Sequence, residues 1–363
     1  MNWVYIFAGF CLLIMLHEAG HFFAAKATGM RVERFFLFFG PTIWSFKRGE
    51  TEYGVKAIPL GGYVKITGMN PEEEIPPAAA HRAYYRQPVW KRIVVIGAGP
   101  AVNIVLAFVI LFGVYFFAAQ KINQTVGSIR PSTPAAKTLQ PGDKLVAVDG
   151  QSFPGLDLED RLVHFGKLVA AHKCAGEQVD GCLAKTPVQL TIERAGNVKT
   201  LIVRPEYSAE NKKALIGFSY GSEREALGVG GAVGRSWNSM WMVASGTFHV
   251  FAHIFESKER KEISGVVGTS DVANQTINVG LAESLLLLAL VSFSLGLINL
   301  LPILPLDGGH IFWSLVEKAR GEPVSMRVME RASMIGIALV AMLFFIGLSN
   351  DIGRLTGEGF NTR

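Results

Sequence analysis

Charge is scarce in this sequence. Asp, Glu, Lys and Arg supply 18% of its 363 residues, where ordinary soluble domains carry about 25%, and the mean hydropathy is +0.31. So little charge excludes a disordered chain and a long coiled coil, which need more of it or a sustained heptad pattern. The net charge of +5 is mild and spread out, a poor basis for nucleic-acid binding. Cysteine is scarce as well. Cys11, Cys174 and Cys182 are too few and too scattered for a zinc knuckle. Only the last two share a segment in which a disulfide is permitted, and the sequence leaves that pairing open.

Charge is missing altogether from 1–16, 93–119, 284–306 and 332–350. A helix needs about 20 mostly apolar residues to cross a bilayer, so four spans are expected. The first run is short and N-terminal, which makes a signal peptide the competing reading. Against it stand the lack of a positive n-region and the continuation into HEAGHFFAAKA, whose His, Glu and His are odd residues for a cleavage site. Basic residues between the first two runs, from Lys26 to Arg92, put that loop on the cytoplasmic side and the segment 120–280 outside.

The cytoplasmic loop has two textures. Residues 42–67 are rich in β-branched and aromatic side chains around the turn Arg48-Gly49-Glu50, which reads as a hairpin, a Gly-rich bend and another short strand. The apolar tip Gly61-Gly62-Tyr63-Val64 is suited to the membrane interface. Residues 70–92 read as a mobile linker. Outside, 121–206 has the turns Pro141-Gly142-Asp143, Asp149-Gly150 and Ala195-Gly196-Asn197 between short apolar runs, the pattern of one small β-rich domain. Residues 236–255 are uncharged, and Trp237, Met240, Trp241, Ala244, Phe248, Phe251 and Phe255 recur at helical spacing, which predicts an interfacial amphipathic helix rather than a fifth span.

His17-Glu18-Ala19-Gly20-His21 is an HExxH motif. On a helix its histidines share a face and can reach one Zn²⁺, with Glu18 beside them to take a proton from a water activated by the metal. At membrane depth each ionisable group costs about 3 kcal/mol even on permissive scales, so three within five residues call for a metal or partners. The other reading is a helix end snorkelling its polar groups to the interface. A catalytic zinc commonly has three protein ligands. Asp307 ends a 23-residue uncharged run, and Pro302, Pro305 and Gly308-Gly309 break the helix there, so its carboxylate can turn toward a partner. The alternative role for Asp307 is to cap a short helix starting near Gly309; His310 reads as a surface histidine. Topology agrees with the metal reading. Coming from outside, His17 lies about 24 Å along the first helix, near the cytoplasmic side, and with four spans the third delivers Asp307 to that same side.

These residues resemble the site-2 protease family of intramembrane zinc metalloproteases. Its HExxH matches His17, Glu18 and His21, and its NxxPxxxLDG matches Asn299, Pro302, Leu306, Asp307 and Gly308. The family's bacterial branch also has a GYVK-like membrane-associated β-loop, matched by Gly62-Tyr63-Val64-Lys65, a GPxxN matched by Gly99 to Asn103, and a PDZ domain whose turns resemble Leu139 to Asp143 and Val148 to Gly150. Two departures stand out: only one PDZ-like domain fits, and Gly265-Val266-Val267-Gly268 lacks the proline of the family's GPVG.

The resemblance implies a polytopic α-helical membrane protein with four transmembrane helices, an inserted β-rich PDZ-like domain and a cytoplasmic-side membrane-associated β-hairpin. The expected layout is span one at 1–25, the β-loop and linker at 26–92, span two at 93–119, the PDZ-like domain at 120–206 and a linker with the amphipathic helix at 207–280. Span three then follows at 281–310, a cytoplasmic loop at 311–331, span four at 332–350 and an outer tail at 351–363. It further implies Zn²⁺ on His17, His21 and Asp307, Glu18 as general base, and substrate contacts from Asn299 and from Gly61, Gly62, Tyr63 and Val64. The implied setting is the bacterial cytoplasmic membrane. The substrate would be a single-span membrane protein, such as an anti-sigma factor or a signal-peptide remnant, trimmed first by a site-1 protease. A peptide or the substrate's tail would bind the PDZ-like domain. Rival readings are a non-catalytic scaffold with a peptide-binding domain and a divalent-cation transporter, for which the remaining spans supply few polar residues.

Overall fold

The computed structural model describes residues 2–69, 73–209, 211–224, 226–253, 268, 269, 273, 276 and 280–353. Within it the chain forms two compact units, one of residues 1–116 with 228–363 and one of residues 117–227.

Among the described residues of the first unit, four helices are long and apolar enough to cross a membrane: Val4–Ala27, Val89–Ala118, Leu281–Asn299 and Met326–Gly353. The first belongs to α1 (Asn2–Ala27), which stops at Thr28-Gly29, where Gly29 takes a left-handed φ of +82°. Two strands follow, β1 (Val32–Arg48) and β2 (Thr51–Ile66). The pairing begins ten residues earlier than the expected 42–67, because Phe35 and Phe36 lie against Tyr53 and Gly54 on one side and Val64 and Tyr63 on the other. This double pairing leaves 62–66 as an outer edge, and among the described residues no further strand covers it.

The stretch expected as a mobile linker is packed where it is described. Two 3-10 turns, Pro77–Arg82 and Tyr84–Arg86, set Tyr84 into a cluster with Phe22, Met30, Val32, Ile66 and Val95. Arg82 donates to both oxygens of Glu50 at 2.7 and 2.8 Å. Helix α2 (Val89–Ala118) then starts four residues before the uncharged run, since Arg92 is buried and forms a two-pronged pair with Glu317.

Beyond the second unit, α4 (Val229–Ala252) packs through Met240 and Ala244 against Ala107 and Leu111 of α2 and Ala289 and Phe293 of α5 (Leu281–Asn299). Its buried stripe is Ala232, Ser236, Met240 and Ala244, while Trp237, Trp241 and Phe248 are exposed. Met240 and Ala244 of the expected apolar face belong to this buried stripe, where small residues let the helices approach, while the two indoles point away from it. The third span is also shorter than the expected 281–310. It ends at Asn299, the chain turns through Pro302 and Pro305, and α6 (Asp307–Arg320) occupies part of what was expected to be loop. Helix α7 (Met326–Gly353) starts six residues before the expected 332. Its Gly336 backs onto the Leu304 carbonyl so closely that any side chain would collide with it.

The second unit is a five-stranded sheet in the order β6-β5-β4-β3-β9. In chain order its elements are β3 (Gln120–Ile129), β4 (Lys144–Val148), α3 (Leu158–Ala171), β5 (Val188–Arg194) and β6 (Asn197–Val203). A separate pair, β7 (Glu206–Ser208) with β8 (Lys213–Leu215), precedes β9 (Phe218–Arg224). The core is Leu145, Val148, Leu162, Phe165, Leu190 and Ile192 among others. The unit runs to Leu227, past the expected end at 206, because β9 completes the sheet beside β3. Cys174 and Cys182 are joined in a disulfide, closing the branch that the sequence left open. The expectations for 70–72, for nearly all of 254–279 and for the tail beyond Gly353 fall outside the described residues.

Candidate metal centre

An apolar helix without an internal break carries the HExxH, so His17 and His21 lie one turn apart on α1. Both are 7% exposed. The third group comes from 290 residues away: His17 Nε2 lies 3.1 Å from Asp307 Oδ2, and His21 Nε2 lies 3.3 Å from the same oxygen. The two histidine Nε2 atoms are 3.2 Å apart. Two imidazole nitrogens and one carboxylate oxygen thus converge on a single point, all within 4.8 Å of one another.

Asp307 reaches that point because the chain folds back on itself. Gly308 and Gly309 lie hard against the backbone of residues 300–304, with no room for a Cβ at either. Asp307 is the first residue of α6; the cap position belongs to Leu306, and no side chain caps the helix. The capping role is therefore set aside. His310, one turn further on, is partly buried rather than on the surface.

The donor set fits a metal on three grounds. The ligand types are those zinc takes, His nitrogen and carboxylate oxygen. His21 Nδ1 donates to the Val95 carbonyl at 2.9 Å, which leaves Nε2 as the lone-pair donor facing the point of convergence. And α2 keeps the space clear: a Cβ on Gly99 would run into His21 Nε2 and come within 2.9 Å of His17 Nε2. In the sequence Gly99 stood out only through the GPxxN match, and the run of small residues Gly97-Ala98-Gly99 was the one local signal of a close helix approach. Gly20 packs so tightly there that a Cβ would stand 2.6 Å from the Ala98 carbonyl.

A cavity of about 680 Å³ opens over these groups, lined by His17, Glu18, His21, Asn299 and Asp307 together with Gly61, Gly62 and Val64. Of the expected substrate-contact residues, Tyr63 alone is not in its wall, since strand alternation turns it to the other face. Glu18 lies against the β2 edge, where a Cβ on Gly62 would overlap its Cγ and approach its Cδ to 2.9 Å.

The family profile described as Peptidase family M50 matches residues 5–343, nearly the whole chain. The chain belongs to this family, that of the site-2 proteases. A putative zinc metalloprotease of Rhizobium meliloti is 30% identical, with 95% of each chain covered. The zinc metalloprotease Rip1 of Mycolicibacterium smegmatis is 31% identical, with 93% of this chain and 94% of that one covered. A putative zinc metalloprotease of Neisseria meningitidis is 30% identical over 97% and 99%. The M50 chain described here is accordingly a zinc metalloprotease and a multi-pass membrane protein, and the scaffold and transporter readings are set aside.

Proposed function

We propose that this M50 protease cuts peptide bonds in or next to the transmembrane segments of single-span membrane proteins, with Zn²⁺ held by His17 Nε2, His21 Nε2 and Asp307 Oδ2. The observation that carries the reading is the meeting of these three groups, Glu18 and an uncovered strand edge around one cavity. When bound, zinc supplies Lewis acidity that makes a water nucleophilic near neutral pH. Glu18 takes that water's proton as general base and returns it to the leaving amine.

A helical substrate shields its carbonyls, so it must unwind to reach Glu18. The 62–66 edge offers backbone donors and acceptors to an unwound segment, which would add as a further strand. Asn299, at the end of α5, lines the same cavity and holds the substrate backbone. The basic loop between the first two spans puts this centre near the cytoplasmic face of a bacterial membrane and the unit of residues 117–227 outside. That unit is PDZ-like and takes a peptide or the substrate's own tail, after a site-1 protease has trimmed the outer domain.

The test is zinc stoichiometry of the purified protein, followed by cleavage of single-span reporters. About one zinc per chain, lost in His21→Ala and in Asp307→Ala, supports the centre. A Glu18→Gln protein that keeps its zinc and cuts nothing supports the base. A wild-type protein that is folded and offered zinc yet takes up none sinks the proposal.

A further inference from the structure

A second cavity, of about 480 Å³, adjoins the first. It is within the range of roughly 300–1,000 Å³ typical of sites that hold organic groups. Met69 and Pro305 line both cavities, so the two meet at the loop that carries Asp307. The walls of the second are mostly apolar, with Arg92, His310, Glu317 and the exposed Glu330 among the polar residues that also line it. Trp313 of α6 and Met326 and Met329 of α7 face it, with Tyr84 and Tyr85 from the 3-10 turns. Its buried charge is cancelled internally, because the guanidinium of Arg92 donates to both oxygens of Glu317 at 2.9 and 2.7 Å. Such a lining suits a large apolar side chain, and the unbranched methionines let it adapt to more than one shape.

β2 gives the direction of approach. Gly61, Gly62, Val64 and Ile66 line the catalytic cavity in turn, and Met69, just beyond the strand, is where the second begins. Gly62 marks the level of Glu18. A peptide laid along the 62–66 edge is extended, and on its way past Ile66 it leaves the reacting centre and arrives at the second cavity. We propose that this cavity is a specificity subsite, which takes one large aliphatic or aromatic side chain of the substrate on the Met69 side of the scissile bond. The inference rests on the protease reading above and extends it to substrate choice.

The experiment uses zinc-loaded full-length protein and a pool of single-span reporters that share one transmembrane segment. Each position flanking the cut is varied in turn among Gly, Leu, Phe and Trp, and cut sites and rates are read by mass spectrometry. At one offset, on one side of the cut, the large residues should be favoured over Gly by about 10-fold in kcat/KM. Met329→Trp, which fills the cavity, should bring that ratio toward one. Trp313→Ala, which enlarges it, should move the optimum toward Trp, and it carries the test if the filled variant does not fold. Cutting with no such preference, or a preference untouched by both variants, overturns the subsite alone. Zinc-loaded protein that cuts no member of the pool overturns the protease reading and the subsite with it.

Discussion

Gly62 and Gly99 press on different groups of the centre, and they control different things. Gly99 lies against the two imidazoles and Gly62 against the carboxylate of Glu18. Gly99→Ala should therefore displace the histidines and weaken zinc binding by about 10–100-fold, the usual cost of disturbing the surroundings of metal ligands, as read by competition with a chromophoric chelator. Gly62→Ala should leave zinc bound but push Glu18 out of line, which lowers kcat by about 100-fold. Equal effects of both substitutions on zinc affinity would refute this separation. The proposed ligands were legible in the sequence, because HExxH is a local pattern and Asp307 stands at the end of a long uncharged run, and the structure brings the three side chains together. The glycines were not, because what makes them necessary is contact with side chains far away in the sequence.

Two contacts between elements fix the loop that brings Asp307 in. Arg92 of α2 is buried, and its partner Glu317 lies on α6, the helix that Asp307 begins. Glu317→Gln would strand a buried guanidinium at a cost of about 3 kcal/mol, seen as a lower melting temperature of the purified protein, whereas a paired replacement by Met and Leu should recover most of it. Gly336 of α7 stands against the Leu304 carbonyl. Gly336→Val should shift the 303–304 turn and weaken zinc binding, even though Gly336 is not a ligand; unchanged affinity would count against this support. Four spans could be read from charge together with the helical spacing that set 236–255 apart, yet their ends could not. α2 and α7 both begin before their uncharged runs, since a paired Arg92 and the basic first turns of α7 fit a helix end as well as a loop. In α4 the helical spacing of the bulky residues was legible, whereas the part that Ala232 and Ser236 play in the packed stripe was not. Burial there follows small residues, whose value lies in how closely two helix axes can come.

At the scale of the molecule, the unit of residues 117–227 has a core drawn wholly from its own residues. Excised, it should fold and unfold cooperatively. Within it Asp143 is buried, and the Arg194 guanidinium holds its carboxyl below the ordinary value of 3.8. The resulting stability is complete above that value and disappears as pH falls through the lowered native one. Melting of the excised unit should therefore vary little from neutral to mildly acid pH through this pair and drop in strong acid, and Asp143→Asn should remove the drop while lowering stability at neutral pH. Deleting the unit from the full chain should leave zinc stoichiometry intact, since all three proposed ligands belong to the other unit.

The 290 residues between His17 and Asp307 also set a timetable. A ribosome adding about 5–20 residues per second needs roughly 15–60 s between the two, and over that interval the growing chain holds an incomplete centre. A membrane protease that finished its active site early could attack the spans of its neighbours, or its own, while they were still being inserted. With the proposed ligand set, the last ligand arrives only after α5 has been made, so the centre stays incomplete until then. Chains truncated ahead of α5 should hold no zinc at equilibrium.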